Sequence, residues 1–126
     1  MSRSSLLFDK KLSKTDVEHR LSFSSSVQRE YLRIEEGQNC IDFLAKYGDD
    51  ETERKFRCKI RNKVNEKYNK PVISKGWRQI VKEKGLKEGD KLLFYKVEAD
   101  QSVNFKFVVE RKIMTLFGKE IWDPVR

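Results

Sequence analysis

The sequence predicts a mainly β domain of about seven short strands, in a mostly antiparallel sheet closed or nearly closed into a barrel, with two short helices. Three observations carry this. Apolar and polar residues alternate at period two in several separate stretches, so each stretch has one dry face. Polar or glycine-containing turns of a few residues separate those stretches. Helical spacing occurs in two places, both too short to act as the crossover of a parallel βαβ unit.

In chain order, residues 6–12 read as a first strand with Leu6, Phe8 and Leu12 on one face, ended by the polar turn Ser13, Lys14, Thr15 and Asp16. Leu21 and Phe23 then alternate with Arg20, Ser22 and Ser24 in a short second strand. Ser25 and Gln28 have capping-box spacing, and Val27, Tyr31 and Ile34 follow at helical spacing until Gly37. Residues 39–47 set Ile41, Phe43 and Ala45 against Cys40, Asp42 and Leu44, and Gly48 with Asp49, Asp50 and Glu51 makes the next turn. A basic strand, a polar loop over 62–69 and a short strand at Pro71, Val72, Ile73 and Ser74 come next. Ser74 is the expected N-cap of a helix whose buried stripe is Trp77, Ile80 and Val81, and Gly85 stops it. An apolar strand over 92–97 leads through a hairpin at 99–102 to the alternating Val103, Phe105, Phe107 and Val109. Trp77, Phe105 and Phe107 are assigned to the interior, and Gly89 with Asp90 to a turn.

These elements predict one domain over residues 6–112, with a five-residue extension before it and residues 113–126 after it. The last segment carries Ile113, Leu116, Phe117, Ile121 and Trp122, too apolar for a solvated tail. It is expected to pack on the domain or to meet a protein partner.

Charge is the second organising feature. Of 126 residues 38% are charged, and the formal net charge is +8. Residues 54–78 hold ten Lys or Arg and one acidic residue, Glu66, so that segment alone carries the basicity. Lys55, Arg57, Lys59, Arg61 and Lys63 occupy successive odd positions, with Phe56, Cys58, Ile60 and Val64 between them. In an extended strand this puts five cations on one side at intervals of roughly 6.6 Å. Such a row repels itself unless a linear polyanion lies opposite, and a nucleic-acid backbone is the commonest one. The plainer reading is the lysine-rich solvated face of an edge strand.

Other classes are disfavoured. No 18-residue apolar run exists to span a membrane, and the first residues lack the apolar region of a secretory signal. Cys40 and Cys58 fit reduced, buried thiols, and one His with two Cys cannot build a zinc site. Asp49, Asp50 and Glu51 are consecutive and therefore splayed, and a single His leaves no nucleophile–base pair in evidence. The expectation is a non-enzyme without cofactor, metal or small-molecule substrate.

At Gly76 the pattern resembles a known family. Val72, Ile73, Ser74, Lys75, Gly76 and Trp77, followed by Ile80, Val81, Leu86, Gly89, Asp90 and Phe94, resemble the signature of the plant B3 DNA-binding domain. Upstream, Leu7, Phe8, Lys10, Leu12, Thr15, Asp16 and Val17 are similar to that family's opening strand and turn, and Arg20 with Leu21 to the start of its second strand. Phe56, Arg57 and Arg61 resemble the auxin-response-factor branch. The resemblance implies a seven-stranded open pseudobarrel with two short α-helices that grips double-stranded DNA with two arms in the major groove. It further implies a nuclear plant transcription regulator. The arms would correspond to residues 18–26 and 61–69. One departure stands in the first arm, where Ser22, Phe23, Ser24 and Ser25 replace the relatives' apolar pair and Pro-Lys. The phosphate-directed Lys is absent there, so sequence preference is expected to differ from the better-known branches or to be weak.

The expected DNA contacts follow from side-chain chemistry. Arg61 can fork onto guanine O6 and N7, and Asn62, Asn65 and Asn69 can read adenine, although Asn also favours turns for its own backbone bonds. Lys59, Lys63, Lys67 and Lys70 would neutralise phosphates. In the first arm His19, Arg20, Ser24 and Ser25 are the candidates, the serines equally as helix caps. Two other readings stay open: a single-strand or RNA-binding barrel, and a protein-interaction module with weak non-specific DNA binding.

Overall fold

Burial follows the period-two pattern strand by strand in a computed structural model that describes residues 3–60, 70–99 and 102–126. The elements run β1 (Arg3–Lys11), α1 (Lys14–Glu18), β2 (Leu21–Ser22), α2 (Ser25–Tyr31), β3 (Cys40–Tyr47), β4 (Arg54–Lys59), β5 (Val72–Ile73), α3 (Trp77–Lys84), β6 (Lys91–Ala99), β7 (Ser102–Leu116) and β8 (Lys119–Pro124). One sheet takes the path β1-β6-β7-β3-β4-β5-β2, with β8 attached to β7. All pairings are antiparallel except β3 with β7. The sheet curls but does not close, because β1 and β2 end the path without pairing. This is the open, mainly β barrel that the alternation predicts.

The core is aromatic. Phe56, Phe94, Phe107 and Trp77 are fully buried. Phe107 packs its ring on Phe94 and Phe56 at centroid distances of 4.7 and 4.9 Å. Each such side chain contributes about 1.5–3 kcal/mol by leaving water. The Trp77 indole N–H, which burial would otherwise orphan, donates to Asp16 O at 2.7 Å and ties α3 to α1.

Polar groups close the gap that the backbone leaves open. Lys10 on β1 donates to Ser22 O on β2 at 2.8 Å and pairs with Asp16 at 2.9 Å. Asp16 also accepts from the backbone N–H of Ser13 at 2.8 Å and of Ser22 at 3.3 Å. Beside this network the rings of Phe8 and Phe23 stack 5.4 Å apart. The seam is thus filled by one ion pair and one aromatic pair instead of a strand ladder. Where β1 ends, Asp90 in the predicted turn accepts the Leu12 N–H on its carbonyl, and its buried carboxylate receives a two-pronged bond from Arg111 at 2.9 and 2.8 Å.

Several local expectations are corrected. Residues 13–16 are not merely a turn: Ser13 and Asp16 form a reciprocal capping box that starts α1. The capping box expected at Ser25 and Gln28 does not form; Ser24 is the N-cap and makes no side-chain cap bond. Gln28 instead donates to Leu32 O, within the same helix's last turn. Gly76, at φ 89°, replaces Ser74 as the N-cap of α3, since the backbone there lies against β4. Leu6 does not share a face with Phe8. The pairing slips by one residue between them, so Leu6 turns out to 48% exposure while Leu7 and Phe8 pack on the core. β4 ends at Lys59, short of Arg61, and β7 continues past Val109 to Leu116 before returning as β8.

Candidate nucleic-acid interface

Strand register, more than composition, assembles the site. β2, β5 and β4 lie side by side, with Ser22 opposite Val72 and Val72 opposite Lys59. Phe23 N–H bonds Pro71 O at 3.1 Å and extends the β2–β5 contact by one step. This brings the end of β4 (Lys59, Ile60), the start of β5 (Lys70, Pro71) and the β2–α2 connection (Ser24) to one end of the sheet. Ile60 and Lys70, the described residues on either side of 61–69, therefore lie beside the first arm. Arg61, Asn62, Lys63, Asn65, Lys67 and Asn69 themselves lie outside the described residues.

The first arm is built on α1. His19 caps that helix, and the N–H groups of His19 and Arg20 share the carbonyl of Thr15. His19, Ser24 and Ser25 are exposed, and Arg20 is half-buried. Ser24 and Ser26 hydroxyls lie 2.7 Å apart; one of their two protons is used in that bond, which leaves the other available to an outside acceptor. Leu21 and Phe23 are buried and anchor the arm between these exposed groups.

On β4 the alternation holds as expected, with Phe56 and Cys58 fully buried between Lys55, Arg57 and Lys59. Burial pushes the Cys58 thiol up to about 12, helped by the nearby Cys40, so it stays protonated and apolar. The cations are not all free, however. Asp42 sits directly opposite Arg57 on β3 and accepts from its guanidinium at 2.7 and 3.3 Å, while Lys55 approaches to 3.7 Å. The Arg57 hydrogen bond, with Lys55 and Lys75 adding their charge, holds the Asp42 carboxyl below the usual carboxylate range. Among the described residues, Lys59 and Lys70 make no ion pair. Along β4 itself, the cation without an ion pair among the described residues is therefore Lys59, at the strand's end.

A family model described as B3 DNA binding domain matches residues 8–113. The chain belongs to the B3 DNA-binding domain family. The match spans every element from β1 into β7 and includes both predicted arms. Among solved structures, this B3 domain is similar to the Arabidopsis FUS3–DNA complex, with a TM-score of 0.66, 21% identity, and coverage of 82% of this chain and 94% of that one. It is likewise similar to the Arabidopsis thaliana transcription factor LEC2–DNA complex, at a TM-score of 0.68 and 19% identity over 84% of this chain and 95% of that one. At those identities the likeness establishes the barrel fold. No curated protein matches the sequence.

Two groups that shape the interface escaped sequence reasoning. Asp42 was read only as the polar side of an alternating strand; its place opposite Arg57 depends on β3–β4 register. Lys10 and Ser22 join Asp16 only because β1 and β2, distant in sheet order, face each other across the seam. The Ser13-x-x-Asp16 spacing was the available signal for α1.

Proposed function

We propose that this B3 domain is a non-enzymatic, sequence-selective binder of double-stranded DNA in a nuclear transcription regulator. In this reading the arms at 18–26 and 61–69 enter the major groove together. The observation that carries it is the β2–β5–β4 register, which sets Ser24, Lys59 and Lys70 at one end of the sheet, where segment 61–69 begins and ends. Lys59, Lys63, Lys67 and Lys70 contact phosphates, which fixes position without reading sequence. Arg61 and the asparagines Asn62, Asn65 and Asn69 contact base edges, and His19, Arg20, Ser24 and Ser25 supply the first arm's contacts. Arg57 is held by Asp42 and serves to stiffen β4.

Fluorescence anisotropy with duplex oligonucleotides over a salt series tests this. The logarithm of affinity should fall with log salt at about −0.9 per phosphate contact. Lys63→Ala is expected to weaken all duplexes alike and flatten that slope by about one contact. Arg61→Ala should relax preference at one base pair, a discrimination of about 1–3 kcal/mol, and leave non-specific binding nearly intact. Wild-type behaviour from both variants would remove the second arm from the interface. A single-stranded competitor that displaced the duplex at equal concentration would overturn the duplex reading itself.

A further inference from the structure

Among the described residues β8 is an edge strand that pairs with β7 alone, and the hairpin it forms is unusually apolar on the outside. Met114, Leu116 and Ile121 share one face by register, and each is between 36 and 52% exposed. The turn between the strands is stranger still. Phe117 and Gly118 both have positive φ, 51° and 79°, the pattern of a two-residue type I′ turn that favours Asn or Gly. A phenylalanine there crowds its Cβ against the backbone, and this one is 98% exposed, so the isolated fold gains no burial from it.

We propose that this domain associates with a second copy of itself through β8, edge to edge, as an antiparallel pair centred on Ile121. Three features of the strand favour a copy of itself over another partner. The centred register places Lys119 opposite Asp123 of the second copy, and Asp123 opposite its Lys119, so both cross-strand pairs are of opposite charge. Ile121 meets Ile121, and the Met114–Ile121 faces of the two hairpins merge into one apolar strip across a four-stranded sheet. Val125 N–H bonds inward to Val109 O, and alternation from there turns the backbone groups of Glu120 and Trp122 outward. Those two residues oppose each other in this register and exchange the ladder bonds, while Pro124, which has no N–H, falls outside them.

The same register brings Phe117 of one copy level with Val125 of the other. Val125 lines a cleft of about 390 Å³ together with Tyr47, Val109 and Pro124, and Tyr47 secures it by donating its hydroxyl proton to Val125 O. The cleft also carries Asp49, Asp50, Lys106 and Arg126, so the exposed ring of the second copy meets an apolar wall at Val109, Pro124 and Val125 with charged groups at its margin. The assembly is isologous, with one two-fold axis through Ile121, and leaves both β2–β5–β4 ends outside the contact. Its size, one strand pair and a short apolar strip, is that of a weak dimer with Kd on the order of 10⁻⁶ to 10⁻⁴ M.

Two measurements on the full chain without DNA decide it. Sedimentation velocity up to about 500 μM, several times the weakest dissociation constant such an interface implies, should show a concentration-dependent monomer–dimer equilibrium. Lys119→Asp should weaken the dimer about tenfold by creating two like-charge pairs, and adding Asp123→Lys should restore it. Ile121→Cys under mild oxidation should cross-link to itself, because non-hydrogen-bonded antiparallel pairs stand at disulfide-compatible distance. Lys119→Cys alone should not, whereas Lys119→Cys mixed with Asp123→Cys should. A strictly monomeric chain at the highest concentration overturns the proposal. So does a dimer insensitive to the charge swap, or equal cross-linking at positions 119 and 121.

Discussion

Asp16→Ala is expected to destabilise the domain by about 2–4 kcal/mol, a large share of the roughly 5–15 kcal/mol that holds a domain folded. The carboxylate is 1% exposed and receives the Ser13 N–H, the Ser22 N–H and the Lys10 ammonium at once. Removing it leaves those donors facing each other across the seam where the sheet has no ladder. The same change removes the capping box of α1 and frees the carbonyl end that Trp77 uses as an acceptor to drift. Because α1 carries the first arm, duplex affinity should fall with stability, and the loss should exceed what an exposed arm residue such as His19 contributes.

The pH dependence separates this from a simple packing defect. Burial raises the Asp16 pKa, but the bonds from Ser13, Lys10 and Ser22 outweigh it, so the folded value lies below the ordinary 3.8. Asp16 therefore binds its proton more readily in the unfolded chain. Its contribution is fully present above about pH 4 and is lost as pH falls through the lower folded value. The gap in urea midpoint between wild type and Asp16→Ala should be smaller at pH 3 than at pH 7. A constant difference between the two proteins would show that the ion network is not the source of the effect.

Gly76→Ala is the second large effect, expected to cost about 3 kcal/mol or more. A Cβ at this position would lie 2.4 Å from Lys55 O and 3.0 Å from the ring of Phe56, which is fully buried and cannot swing away. The residue also sits at φ 89°, where a side chain adds its own strain. Relief requires the Lys55 carbonyl to move, and that drags the β4 row that leads to Lys59. Gly85→Ala is the matched control, because its φ is 64° yet nothing lies within 4 Å of the added methyl group. Thermal melts should place Gly76→Ala far below Gly85→Ala, which should lose only about 1 kcal/mol. Equal melting temperatures would mean that α3 does not press on β4.

Much of the barrel is legible in residues 39–47, 55–60 and 103–109, where alternation leaves one register with a dry face. Phe56 and Cys58 could only be inward once Lys55, Arg57 and Lys59 were outward. The same logic misassigned Leu6, since one unpaired residue in β1 reverses every side chain before it. Residues 113–116 extend β7 because β8 supplies a partner for their backbone, a condition no local propensity expresses. The basic segment was read as a uniform row, yet Asp42 from another strand holds Arg57 and approaches Lys55.

Short-range physics fixed what each segment of this chain would be: which faces are dry, where helices stop, and that the basicity lies within residues 54–78. Those properties depend on neighbours two to four positions away, so the chain states them directly. Which groups meet was decided only by the curled sheet. The seam that joins Lys10, Asp16 and Ser22, the grip of Asp42 on Arg57, and the pairing of β8 on β7 depend on how whole strands register and curl around the aromatic core, which no window of two to four residues states.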